Sequence, residues 1–416
     1  MDKQNQKFYI AIIGGLFFIF GFVTWLNATL IPYLKMACEL TNFQAFFVTF
    51  AFYMSYFFMA IPSSYVLRKT GFKNGMSLGL FVMAVGSMIF IPAATSRTYW
   101  LFLFGLFVQG AGLTLLQTAS NPYITILGPI ESAARRISIM GICNKVAGIL
   151  SPLILASIVM AGADKLEIEL KTMDAIQKAN TLDMLSSRVI LPYVIMAIAL
   201  VLLGLIIRFS PLPEINEEEN DKPEEDSNNR SIFAYPQLIF GVLAIFLYVG
   251  VEVIAADTLS NYGKSIGIPM KEAKTFPSVT LTCMLVGYVI GIFAIPTFIT
   301  QQTALKLSAG LGIIFSCLIY FLHGYASIFL IAALGLANAL MWPAIWPLAI
   351  DGIGKHIKTG SAMLIMGIAG GALLPLLYAA IGDAYSLKAG YLIMIPCYFF
   401  ILWYSNAGFH RKAESK

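Results

Sequence analysis

The sequence predicts an all-α membrane protein, with twelve transmembrane helices arranged as two six-helix bundles. Three observations support that fold class. The 416 residues are 58% hydrophobic and only 12% charged, whereas a soluble domain needs roughly 25% charged residues to solvate its surface. Apolar runs long enough to cross a hydrocarbon core of about 30 Å recur along the whole chain. One acidic, proline-broken segment divides those runs into two groups of six. Ordinary cytosolic enzymes and disordered proteins are excluded by this composition. The net charge of +5 is small and dispersed, so the expected partner is the lipid bilayer and no nucleic acid.

Taken in order, the first six runs lie near 8–32, 43–66, 74–94, 98–120, 133–160 and 187–209. The second six lie near 234–262, 273–299, 303–322, 325–349, 360–381 and 387–406. Lys3 and Lys7 before an apolar stretch imitate a signal peptide, but the stretch continues past Asn27 to Pro32 without a small-residue cleavage site. It therefore reads as the first span, left in place. Glu214–Arg230 is too polar to bury a core and reads as a flexible linker. The domain division is then 1–209, a linker at 210–233, and 234–416. Asp164 to Ser187, between spans five and six, is either an interfacial helix or a surface loop. Lys and Arg in the short loops concentrate on the side of the termini, as in Arg68, Lys69, Lys73, Arg135, Arg136, Lys355 and Lys358. That bias predicts both termini and the linker on the cytoplasmic side.

The two halves repeat each other. Gly110 and Pro122 of span four recur as Gly335 and Pro347 of span ten, 225 positions later. Ile139-Met140-Gly141-Ile142 recurs as Ile365-Met366-Gly367-Ile368 at an offset of 226. Paired six-span halves of this kind are the trace of a secondary transporter that rocks about a midplane site. Glycines at Gly14-Gly15, Gly110/Gly112 and Gly367/Gly370/Gly371 are candidates for close helix approach.

Charge at membrane depth is costly, so its few occurrences point to function. Glu252 and Asp257 are the acids well within a span, both in the seventh, and Lys145 is the base deep in the fifth. Three readings compete. They bind substrate or a coupling ion in a wet cavity, or Lys145 pairs structurally with one acid, or Asp257 lies near the headgroups and is simply solvated. Among uncharged groups, Gln117 and Asn121 share a face of span four, and Asn144 adjoins Lys145. Asn27 lies in span one, and Asn338, Trp342 and Trp346 form a stripe on span ten. Amides offer both donors and acceptors, which suits a polyhydroxylated solute, and an indole face suits the C–H face of a sugar ring. Interhelical hydrogen bonds and an interfacial aromatic belt are the structural alternatives. The odd count of five cysteines lacks the spacing of a zinc site, and the three histidines, His323, His356 and His410, lie near span ends. Neither catalysis nor direct ATP drive is supported, and no cofactor is expected beyond a coupling proton or sodium ion.

Several motifs make the chain resemble the fucose:proton symporter family of the major facilitator superfamily, and within it the bacterial glucose/galactose transporters. They are Gly21-Phe22-Val23-Thr24-Trp25-Leu26-Asn27, Gln117-Thr118-Ala119-Ser120-Asn121-Pro122-Tyr123, Tyr248-Val249-Gly250-Val251-Glu252-Val253, Asn338-Ala339-Leu340-Met341-Trp342-Pro343 and Met366-Gly367-Ile368-Ala369-Gly370-Gly371. The resemblance implies alternating access and sugar uptake driven by a cation gradient. This chain departs from it where it matters. The family commonly has Leu-Asn-Asp in span one, against Leu26-Asn27-Ala28 here. A span-four Glu becomes Gln117, and Asn-Ser in span five becomes Asn144-Lys145. Ala28 and Gln117 cannot titrate, so the family's proton-linked pair is absent. Matching Gly21 to Gly250 places Ala28 opposite Asp257, as though an acid had moved between symmetry-related helices.

These readings combine into one expectation: an inner-membrane, monomeric carrier that imports a small neutral sugar, a hexose such as glucose or galactose. Asn27, Gln117, Asn121, Asn144, Asn338 and Trp342 would bind it, while Glu252, Lys145 and Asp257 would serve coupling, Glu252 foremost with Lys145 as its candidate partner. The alternatives are an uncoupled facilitator, with Lys145 standing where a cation would bind, or an exporter of a sugar derivative or amino sugar. A non-transporting membrane sensor is the reading from another class, and it would need an output domain that the tails and linker do not offer.

Overall fold

The structure is a computed structural model that describes residues 3–126, 133–212, 231–295, 298–350, 353 and 357–408. The predicted linker at Glu214–Arg230 lies outside the described residues. Among the described residues, twelve helices are long and apolar enough to cross a membrane. The first six are Tyr9–Ala37, Asn42–Leu67, Lys69–Thr95, Tyr99–Ser120, Ile139–Val159 and Ala175–Phe209. The second six are Pro236–Asp257, Met270–Ala294, Gln301–Phe321, Tyr325–Ile350, Ala362–Ala384 and Leu387–Gly408. A helix is the expected outcome for each run, because lipid offers no partner for an open backbone donor or acceptor. No strand occurs among the described residues.

The interruptions have local causes. Spans two and three are joined at Gly71, whose φ of 75° is open to a residue without a Cβ. Span ten divides into Tyr325–Asn338 and Met341–Ile350, just before Pro343, which has no N–H to donate to the carbonyl four residues back. Span one divides into Lys3–Trp25 and Asn27–Ala37. The polar stretch at 164–187 is helical rather than a plain loop, with helices at Ala163–Glu169 and Ala175–Ser187, the second forming the start of span six. Asp174 caps the second by accepting the Gln177 N–H at 2.8 Å.

The repeat read from sequence is a repeat of helix crossings. Spans one and five cross where a Cβ on Gly21 would overlap the Asn144 carbonyl. Spans seven and eleven cross where a Cβ on Gly370 would overlap the Phe246 carbonyl. Phe246 lies 225 positions after Gly21, and Gly370 lies 226 after Asn144. Likewise Gly110 packs on Ser55 and Gly335 on Thr280, both members shifted by 225. That register corrects the Gly21–Gly250 match: Asn27 stands opposite Glu252, and Asp257 stands opposite Pro32. The close-approach glycines differ in part from expectation. Gly110, Gly112, Gly370 and Gly371 are tightly packed, whereas a Cβ on Gly15 would meet nothing within 4 Å.

Within the first half, span one packs on five, and spans three and six pack together. Within the second, span seven packs on eleven, and spans eight and ten pack together. Spans two and eleven, and five and eight, face each other between the halves. On the face away from the chain termini the halves also close on one another. There Asn27–Ala37 packs against Pro236–Asp257 and Leu259–Ser265, the short helix Asn42–Ala45 against Gly370–Ala384, and Ala163–Glu169 against Met270–Ala273. Polar contacts fasten this closure. The Phe43 N–H donates to Asp383 Oδ2 at 2.8 Å, Asn261 Nδ2 donates to Asn42 Oδ1 at 3.1 Å, and Lys264 pairs with Glu167 at 2.6 Å.

Candidate functional site

A buried ion pair joins the two halves at the centre of the molecule. Lys145 Nζ of span five lies 2.9 Å from Glu252 Oε1 of span seven, with the residues 6% and 8% exposed. Such a pair repays its desolvation only where further contacts hold both ends. The ammonium sits 4.4 Å above the Trp25 ring of span one, a cation–π contact that gains strength when desolvated. Gly148 permits it, since a Cβ there would overlap the indole. On the acid's side the Tyr248 hydroxyl, one helical turn earlier, reaches the carboxylate. Tyr288 of span eight, Tyr398 of span twelve and Tyr53 of span two lie within electrostatic reach.

From this centre the polar residues extend as two arms. In the first half, Tyr53 stacks on Tyr56 with centroids 6.3 Å apart, and the Tyr56 hydroxyl accepts from Gln117 Nε2 at 2.9 Å. Gly371 makes room for Tyr53 between the halves, because a Cβ there would sit 3.0 Å from its ring. In the second half, Tyr398 donates to Asn338 Oδ1 at 2.8 Å. Trp342 lies 6.4 Å from the Tyr248 ring and stacks on Trp346 at 5.3 Å. The two indoles of the stripe thus stack on each other, while Asn338 is fully buried and bonded to another helix.

The remaining candidates differ in setting. Asn144 is half-buried, its Nδ2 3.4 Å from the Phe17 carbonyl. Asn27 is fully buried, with no hydrogen-bond partner for either amide atom. The Asn121 side chain lies outside the described residues. Asp257 is not solvated near the headgroups: none of its surface is exposed, and neither carboxylate oxygen has a partner. Lys145, Glu252, Gln117, Asn338 and Trp342 thus meet through tyrosines that the sequence reading did not single out. In sequence alone Trp25, Tyr53, Tyr56, Tyr248 and Tyr288 cannot be told from core aromatics. Their signal was the i, i+3 pair on span two and a tyrosine one turn before the buried acid.

A surface cleft of about 450 Å³ lies elsewhere, on the closed face, lined by Met36, Glu39, Glu167 and Lys178 among others. Its Lys178 pairs with Glu39, and its Glu167 pairs with Lys264.

Twelve spans in two repeated halves, closed over each other at one face around a shared ionic cluster, define a secondary membrane transporter and not an enzyme. Residues 13–373 match the model of the Major Facilitator Superfamily, and the chain belongs to that family. It is 32% identical over 410 residues to the glucose/galactose transporter of Brucella abortus biovar 1 (strain 9-941), covering 98% of this chain and 95% of that protein. It is 28% identical over 392 residues to the L-fucose-proton symporter of Escherichia coli (strain K12), covering 92% and 89%. Among solved structures, a Major Facilitator Superfamily transporter, FucP, in the outward conformation superposes with a TM-score of 0.74 at 27% identity, covering 95% of this chain and 97% of that one.

Proposed function

We propose that this transporter imports a small neutral sugar, a hexose such as glucose or galactose, across a bacterial inner membrane by cation-coupled alternating access. The observation that supports this best is the Lys145–Glu252 pair between the halves, ringed by tyrosines, indoles and amides. Lys145 and Glu252 balance each other, so amides, hydroxyls and indoles remain for the solute, which favours a neutral one with many hydroxyls. The names of the relatives point the same way. In this reading Asn27, Gln117, Asn121, Asn144 and Asn338 address hydroxyls, and Trp342 stacks on the ring. Lys145, Glu252 and Asp257 serve the coupling ion, which is a proton or sodium.

Residues 1–209 and 234–416 are the two rocking bodies, with 210–233 between them, and one copy suffices because each chain holds both halves. With the termini cytoplasmic, the closed face is the outer one. Sugar counterflow in proteoliposomes, with glucose or galactose as the probe, tests the reading. Gln117→Ala, which removes an amide and frees Tyr56, is expected to weaken apparent sugar affinity about tenfold. Absence of counterflow with every hexose tried would refute the proposal.

A further inference from the structure

Building on that cation-coupled reading, we infer that the coupling ion is a proton and that Asp257, rather than Glu252, is the group that binds it. The two acids of span seven occupy different situations. Glu252 has an ammonium at 2.9 Å, so its charge is balanced in place by a cation tethered to the protein. Asp257 ends the helix Pro236–Asp257, is wholly buried, and has no partner on either oxygen.

The groups facing Asp257 leave nothing to balance it. On its own helix stands Glu252, a like charge, and from span two comes Tyr53. The adjacent Thr258 hydroxyl is bonded to Tyr391 of span twelve at 2.7 Å, and Tyr378 of span eleven packs on that ring at 4.9 Å. Tyr288 of span eight faces Glu252, and Lys145 of span five is already engaged by it. A bare carboxylate in such an interior is strongly disfavoured. A proton on one oxygen removes the charge.

Asp257 also lies where its protonation can govern movement. Its helix is one of those on which Asn27–Ala37 closes across the halves. With the outer face open, solvent reaches the carboxylate, and a hydronium ion there gives it a proton, its O–H bond breaking to leave water as the new O–H bond forms. Closure then buries a neutral acid, whereas closing over the anion would strand a charge. When the acid is later wetted from the inner side, that bond breaks and the proton passes to water there. One proton thus accompanies each loaded closure, while the Lys145–Glu252 pair keeps its charges throughout.

Two variants test the assignment, both reconstituted at full length with glucose or galactose as the probe. Asp257→Asn keeps a neutral, similar-sized side chain. Sugar counterflow should continue, while accumulation driven by an inward proton gradient should fall to equal concentrations on both sides and lose its dependence on external pH. In the double variant K145M/E252Q, transport should slow, yet sugar should still carry protons inward, as read by a trapped pH-sensitive dye. Uphill accumulation retained in Asp257→Asn, or absence of sugar-linked proton movement in the double variant, overturns the assignment. Absence of counterflow in the unmodified protein instead overturns the sugar reading, so the two failures are distinct.

Discussion

At the scale of the residue, the Lys145–Glu252 pair sets the energetics of the centre. Removing one partner leaves the other charge buried and alone, at a cost of about 3–5 kcal/mol, whereas replacing both by neutral groups of similar size is far milder. Lys145→Met should therefore lower the unfolding temperature sharply in detergent, and adding Glu252→Gln should restore much of the loss. Equal destabilisation by the single and double variants would show that the pair does not hold the halves as described. That two opposite charges at membrane depth would pair was legible in the sequence, since each lowers the desolvation cost of the other. Glu252 is the partner that the sequence favours, and the pair forms; the geometry that selects it was not legible. Glu252 and Asp257 differ only in which way the helix turns them, and the Trp25 ring that receives Lys145 reads in sequence as one more apolar residue.

The elements show a sharper division between what hydropathy can and cannot reveal. All twelve spans were readable, because a bilayer demands a run of fixed length and a helix to satisfy its backbone. Close approach between helices was only partly readable, because it depends on the partner. Gly14-Gly15 looked like a contact motif, yet a Cβ on Gly15 meets nothing within 4 Å, whereas Gly21, in the same helix, lies against the Asn144 carbonyl. Gly15→Ala should change stability by no more than about 0.5 kcal/mol. Gly21→Ala should cost about 1–3 kcal/mol or prevent folding, since backbone and not a flexible side chain stands in the way. The yield of monodisperse protein in size-exclusion chromatography compares them. Similar behaviour of the two would mean that the crossing of spans one and five is looser than described.

For the molecule as a whole, closure is a contest between two faces. The Phe43–Asp383 contact and the Asn42–Asn261 contact tie the halves at the face away from the termini. Alternating access requires that they part in every cycle. In a chain with its native cysteines replaced by serine, Phe43→Cys with Asp383→Cys should form a disulfide on oxidation. Transport should stop in the oxidised protein and return on reduction. Undiminished flux through the cross-linked carrier would show that this face stays shut during the cycle and that the halves do not rock about the centre.

The matched crossings of spans one with five and seven with eleven carry a consequence for how this architecture tolerates change. In one half the glycine sits on the earlier helix, as Gly21, and in the other on the later one, as Gly370. What the two halves hold in common is the distance between two chains, not the address of the residue that allows it. A duplicated scaffold of this kind preserves a spacing while the letters that enforce it trade places across the seam.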